Sequence, residues 1–150
     1  MGVYLSKQEA DRSVPLQQRI RALVVEDSLV AMQAVSNLLG THPAIELAGV
    51  ARNGEQGLKM AELLQPDLVL TDMEMPDMGG LQLTEILRKK YPAMRLVVVS
   101  THEHSLWQQL SRACGADAFV NKHRLSIELE PLIGQLFPVV SPLDTADATA

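Results

Sequence analysis

The sequence predicts an α/β fold: a doubly wound, parallel five-stranded sheet in the order 2-1-3-4-5, with one helix after each strand. Three observations carry this. Five short apolar runs alternate with five longer segments of helical pattern, the mark of βαβ units joined by right-handed crossovers. Leu23-Val24-Val25, Leu68-Val69-Leu70 and Leu96-Val97-Val98-Val99 are apolar throughout, as expected of strands covered on both faces. Ile45-Glu46-Leu47 alternates instead, which suits the edge position that this order gives the second strand.

The elements follow in turn. A strand over 21–25 leads through Ser28, a plausible N-cap, to a helix over about 28–40. The second strand spans 45–50, and Asn53-Gly54 opens a helix over 54–65. The third strand, 67–71, is followed by Gly79-Gly80 and a helix over 81–91. The fourth strand, 95–99, precedes a helix over 103–114 that Gly115 closes as a C′ residue. In that helix Trp107, Leu110, Ser111 and Cys114 form a buried stripe, leaving Gln108 and Arg112 in solvent. Leu106, Leu110 and Ala113 make a rival stripe. The fifth strand, 117–120, leads to a helix over 125–137. There Pro131 removes a backbone donor, so the helix either starts near Glu128 or bends.

Composition bounds the rest. The 150 residues fit one domain with tails: an N-terminal arm over 1–19, the domain over 20–137, and a disordered tail or linker stub over 138–150. With 47% hydrophobic but only 3% aromatic residues, the core must be aliphatic. A net charge of −5 argues against direct nucleic-acid binding, which needs clustered Lys and Arg. No apolar stretch approaches a membrane span. The single cysteine, Cys114, cannot form an internal disulfide and reads as a small core residue, consistent with a reducing, cytoplasmic setting.

The chemistry collects at the strand ends. The first strand ends in Glu26-Asp27, the third in Asp72, the fourth in Ser100-Thr101 and the fifth in Lys122. Parallel strands bring all of these to one edge, where ligands bind in open α/β sheets. Asp72 is then a candidate nucleophile, since a carboxylate can attack phosphorus to give an acyl phosphate. Approach to an anionic phosphoryl group calls for a divalent cation. Glu26 and Asp27 supply hard oxygen ligands that suit Mg²⁺. Lys122 can meet both Asp72 and a phosphoryl oxygen, and Ser100 can donate a hydrogen bond to another. Taken singly, each residue is more often a cap, a turn or a surface charge; the joint arrangement shifts the odds. His42, His102, His104 and His123 show no ligand spacing.

Taken with their order, these motifs resemble the receiver domain of two-component response regulators, the chemotaxis regulator among them. The matching stretches are Leu-Val-Val-Glu26-Asp27-Ser, Asp67 through Asp72-Met-Glu-Met-Pro76 to Gly79-Gly80, Val-Val-Val-Ser100-Thr101, and Gly115-Ala-Asp-Ala-Phe119-Val-Asn-Lys122. The resemblance implies a flavodoxin-like (βα)5 fold. It implies phosphorylation of Asp72 by a histidine kinase or histidine phosphotransfer protein. Mg²⁺ would be held by Asp27, Asp72, the Glu74 backbone carbonyl and, often through water, Glu26. Ser100 and Phe119 fall on the family's switch positions, and Glu74 and His102 on positions that tune phosphoryl lifetime. Two departures stand out: His123 replaces a proline usually in a cis peptide, which leaves the Lys122-His123 geometry open, and Phe119 replaces the frequent tyrosine.

The expected function is therefore a phospho-accepting receiver that works by protein contact through its α4-β5-α5 surface. Its own chemistry would be limited to self-phosphorylation and slow autodephosphorylation. The downstream target is unknown and a homodimer is left open. Alternatives are a receiver fragment of a longer regulator (a helix-turn-helix transcription factor or a methylesterase), a small Asp-nucleophile phosphatase, and a receiver-like domain that binds partners without phosphorylation.

Overall fold

The computed structural model describes residues 18–138. Nearly all of the N-terminal arm and C-terminal tail expected from the sequence lies outside the described residues. Five strands run Ile20–Val25 (β1), Ile45–Ala51 (β2), Leu68–Asp72 (β3), Arg95–Ser100 (β4) and Ala118–Asn121 (β5). Five helices alternate with them: Leu29–Gly40 (α1), Gly54–Leu64 (α2), Gly80–Lys90 (α3), Ser105–Ala113 (α4) and Leu125–Leu136 (α5). All strand pairs are parallel, in the order β2-β1-β3-β4-β5.

The alternating strand faces build two aliphatic layers. On one side Ala22, Val24, Leu70, Val97 and Val99 pack with Leu39 of α1 and Leu125, Leu129, Leu132 and Ile133 of α5. On the other, Leu23, Val25, Val69 and Leu96 pack with Ala61 of α2 and Leu83 and Leu87 of α3. Strand β2 lies at the edge, as expected, with Leu47 and Val50 partly in solvent.

Two aspartates fix the N-terminal ends of the strands. Asp67 accepts the Arg21 amide at 2.9 Å, and Asp117 accepts the Leu96 amide at 2.8 Å. Asp117 also meets Arg88 of α3 at 2.6 Å. The same guanidinium reaches the carbonyls of Pro92, Met94 and Gly115, tying α3 to the turn after α4.

The helix signals act as read, with three corrections. Ser28 and Asn53 accept the Ala31 and Gln56 amides as N-caps, and Gly115 turns at φ 102° after α4. Helix α4 starts at Ser105 rather than at 103, because His104 caps it, its ring nitrogen accepting the Leu106 amide. Leu110, expected in the buried stripe, is 38% exposed. Ser111 is the fully buried residue of α4, its hydroxyl bonded to the Trp107 carbonyl. That small residue seats the helix on the sheet along Trp107, Ser111 and Cys114, and turns Leu110 to the rim. The rival stripe is excluded too, since Leu106 and Ala113 are exposed. Finally, α5 starts at Leu125, not Glu128, and holds Pro131 inside it. Pro131 and Ile127, whose carbonyl would face the missing donor, are both exposed, so water can satisfy that oxygen.

Candidate functional site

The pocket lies where β1, β3, β4 and β5 end. Strand register places its groups. The Glu26 amide continues the ladder to the Ala51 carbonyl at 2.9 Å, and the Met73 amide reaches the Val99 carbonyl at 3.0 Å. Those bonds hold the residues just past β1 and β3 in extended geometry, so Glu26, Asp27 and Asp72 share one hollow. Each offers a carboxylate oxygen, and these lie within 4.8 Å of one another.

Close backbone approach shapes the hollow from α3. A β-carbon on Gly80 would run into the Asp72 carbonyl, so only glycine lets this helix start against the end of β3. The Gly80 amide donates to the Met73 carbonyl at 2.8 Å. Farther out, Asp77 accepts the Gly54 and Glu55 amides at 3.4 and 3.3 Å, pinning the 73–79 loop to the first turn of α2.

Lys122 enters from the end of β5. Its Nζ lies 2.6 Å from Glu26 Oε1 and 3.1 Å from Asp72 Oδ1. The second Glu26 oxygen accepts the Ser28 amide at 3.1 Å, so Glu26, 3% exposed, is fully engaged. Every peptide bond among the described residues is trans, including that before His123. The loop without proline nonetheless delivers Lys122 to the pocket. A 3-10 turn, Lys122–Arg124, capped by the Asn121 side chain, makes the connection to α5.

The electrostatics are unbalanced. Burial, joined by the charges of Glu26 and Asp27, pushes Asp72 from 3.8 up to about 6 even though Lys122 bonds to it. Burial alone would lower the Lys122 ammonium, but bonds and charge from Glu26 and Asp72 hold it above the ordinary lysine value. Three carboxylates against one ammonium leave an excess of negative charge, a set of hard oxygen donors that could hold a divalent cation.

The other expected residues fall around this hollow. Ser100 is 2% exposed and its Oγ accepts the His102 amide at 3.0 Å. Glu74 projects from the 73–79 loop, exposed, with its carboxylate 2.5 Å from His102 Nε2. Phe119 is half-buried and lines a groove of about 320 Å³ with Arg112 of α4 and Pro131 and Leu132 of α5. Sequence reasoning missed the Lys122–Glu26 pair, the Asp77 anchor and the Glu74–His102 contact. Only the last carried a signal, both residues standing two places after a site residue.

The sequence family described as response regulator receiver domain matches residues 22–133. The chain belongs to the response regulator receiver domain family. It is 40% identical over 108 residues to the nitrate/nitrite response regulator protein NarL of Escherichia coli K12, covering 71% of this chain and 49% of that protein. It is 38% identical over 115 residues to the protein-glutamate methylesterase/protein-glutamine glutaminase of Bacillus subtilis 168, covering 74% of this chain and 31% of that one. The chain thus spans about half, or less, of these curated relatives. Among solved structures, the response regulator domain of Thermotoga maritima CheB superposes with a TM-score of 0.73 at 27% identity, covering 81% of this receiver and 98% of that domain. No helix among the described residues is long and apolar enough to cross a membrane.

Proposed function

We propose that this receiver accepts a phosphoryl group on Asp72 from a phosphohistidine of a histidine kinase or histidine phosphotransfer protein. The Asp72 carboxylate forms an oxygen–phosphorus bond as the phosphorus–nitrogen bond of the donor breaks, and the imidazole leaves with the electron pair. The observation that carries this reading is the joint placement of Asp72 beside Asp27, Glu26 and Lys122. The uncompensated carboxylates fit Mg²⁺, with Asp27, Asp72 and the Glu74 carbonyl as ligands and Glu26 through water. Bound there, Mg²⁺ would neutralise charge on the phosphoryl oxygens. Lys122 holds one phosphoryl oxygen as a point charge, and Ser100 donates a hydrogen bond to another.

Ser100 then draws toward the pocket, leaving space under α4 into which Phe119 turns. The groove that Phe119 lines between α4 and α5 supports this, because it leaves the half-buried ring room to move at the proposed output surface. Switching is a shift between two packed arrangements, read by a downstream protein. Covalent chemistry stops at self-phosphorylation and slow autodephosphorylation. A phosphatase reading is weaker, because Glu74, which would have to act as its acid or base, is engaged with His102.

A second reading concerns the output. Both curated relatives extend far beyond the matched stretch, which supports a receiver working inside a longer regulator, whether transcription factor or methylesterase. The full reading frame decides this.

The direct test of phosphorylation is intact mass after incubation with acetyl phosphate and Mg²⁺. Wild type should gain one phosphoryl group and Asp72→Asn none. A labelled Asp72→Asn protein would refute the acceptor assignment.

A further inference from the structure

The three expected cation ligands are not held alike. Asp72 closes β3, and Asp27 follows the Glu26 amide bond that extends β1, so the sheet places both. Glu74 stands beyond the strand end, on the 73–79 loop, and its placement has to come from elsewhere. The base of that loop is closed by the Gly80 amide on the Met73 carbonyl at 2.8 Å. Its far side rests on α2. Met75 and Met78 are partly buried against the core layer that α2 and α3 share. Between them in sequence, Asp77 sends its carboxylate to the N-terminus of α2. There Oδ1 accepts the Gly54 amide at 3.4 Å and Oδ2 the Glu55 amide at 3.3 Å. Those are the first two amides of the helix, which have no partner within it. Asn53, the local cap, takes the third, that of Gln56. The cap is thus shared with a residue 22 and 23 positions away. The contact is close as well as polar: a β-carbon on Gly54 would stand 2.5 Å from both the Met78 carbonyl oxygen and its Cβ.

We propose that Asp77 is a positioning residue for the cation site. By capping α2 from the loop, it fixes the segment that brings the Glu74 carbonyl to the pocket, and so sets Mg²⁺ affinity without being a ligand itself. The inference rests on the Mg²⁺ reading above. A ligand carried on a loose segment has to be ordered when the cation binds, and affinity falls accordingly. Asp77 orders that segment beforehand. Bonds from the Met78 and Glu55 amides hold its carboxyl below the ordinary value, which keeps it an acceptor in mildly acid solution as well.

The test is a Mg²⁺ titration of the 150-residue chain, followed by the rise in melting temperature, for wild type, Asp77→Ala, Asp77→Asn and Asn53→Ala. Asp77→Ala should raise the Mg²⁺ dissociation constant about tenfold, the lower end of what losing a ligand's supporting partner costs. Asp77→Asn keeps an oxygen acceptor of the same shape and should stay within about threefold of wild type, since Asn and Asp cap helices equally well. Asn53→Ala removes the helix's own cap but not its tie to the loop. It should lower the metal-free melting temperature and leave Mg²⁺ affinity within about twofold. An Asp77→Ala protein that binds Mg²⁺ as wild type does would overturn the proposal. So would Asp77→Asn as weak as Asp77→Ala, which would make Asp77 a distant charge and not a cap. Equal weakening by Asn53→Ala would overturn it too, because the loss would then follow the order of α2 in general. A wild type whose melting temperature ignores Mg²⁺ would instead sink the cation reading itself.

Discussion

Asp72→Asn should stabilise this domain in metal-free solution. The folded protein holds Asp72 at about 6 against an ordinary value of 3.8, chiefly through burial. At 1.36 kcal/mol per pH unit, the difference costs the folded state about 3 kcal/mol once the carboxylate is ionised. This value already includes the attraction of Lys122, which in the variant keeps Glu26 at 2.6 Å. The sign runs as follows for an acid raised on folding. Between 3.8 and about 6 the folded chain retains a proton that the unfolded chain has released. Wild-type stability from this group therefore falls as pH rises through that window and is flat above it. Asparagine has no such dependence, so the gap between variant and wild type should open from near zero at pH 4 to its full size by about pH 7.

The assay is urea denaturation in EDTA at several pH values, with equal m-values required for the comparison. A gain of 1–3 kcal/mol at pH 7.5 is expected, corresponding to a melting rise of roughly 5–10 °C for a domain of this size. Added Mg²⁺ should then narrow the gap, because it stabilises wild type in proportion to RT ln(1 + [Mg²⁺]/Kd) and binds the variant less well. A variant no more stable than wild type in EDTA, or a gap that does not grow with pH, would refute the picture of an uncompensated acidic hollow.

Other outcomes follow from the same geometry. Asp27→Ala should lose most of the Mg²⁺-induced rise in melting temperature, and an equal rise in both proteins would exclude Asp27 as a ligand. Lys122→Ala should leave Glu26 and Asp72 without their cation, lowering metal-free stability, while acetyl phosphate labelling persists and beryllofluoride no longer moves Trp107 emission; a full fluorescence response would count against a coupling role. Gly80→Ala should cost about 1–3 kcal/mol, since its β-carbon meets the Asp72 backbone rather than a yielding side chain, and should weaken Mg²⁺ binding as that backbone shifts. Denaturation and a Mg²⁺ titration check both.

The fold and the pocket were legible in the sequence for the same reason. Strand ends are one-dimensional features: an apolar run stops, and the next residue is at the edge. Glu26, Asp27, Asp72, Ser100 and Lys122 could be placed because parallel order does the rest. Of the two Pro131 alternatives, the late start at Glu128 is excluded, because a proline's cost depends on whether water reaches the carbonyl it orphans, and exposure is not written in the residue itself. Leu110 failed because a single small buried residue, Ser111, rotates a nine-residue helix on its seat. The Glu74–His102 and Glu103–Asn121 ties join residues 28 and 18 positions apart on different loops, which no periodicity reports.

Those ties bear on how a stable domain carries an unstable site. Glu26, Thr71, Asp72 and Ser100 are all buried at the sheet edge, yet the strands beneath them are aliphatic and almost wholly sequestered. A cost of about 3 kcal/mol at Asp72 is a large part of the 5–15 kcal/mol by which domains are usually stable. It is sustained because the two core layers below do not share in it. On the proposed reading that separation is what makes the switch responsive. A cation relieves charge at the edge, a phosphoryl group adds oxygens that Ser100 and Lys122 can bind, and the change reaches the output surface through Ser100 rather than through the core. Softening the core, by shortening Leu70 or Val97 for instance, should therefore lower stability with little effect on half-saturation by beryllofluoride.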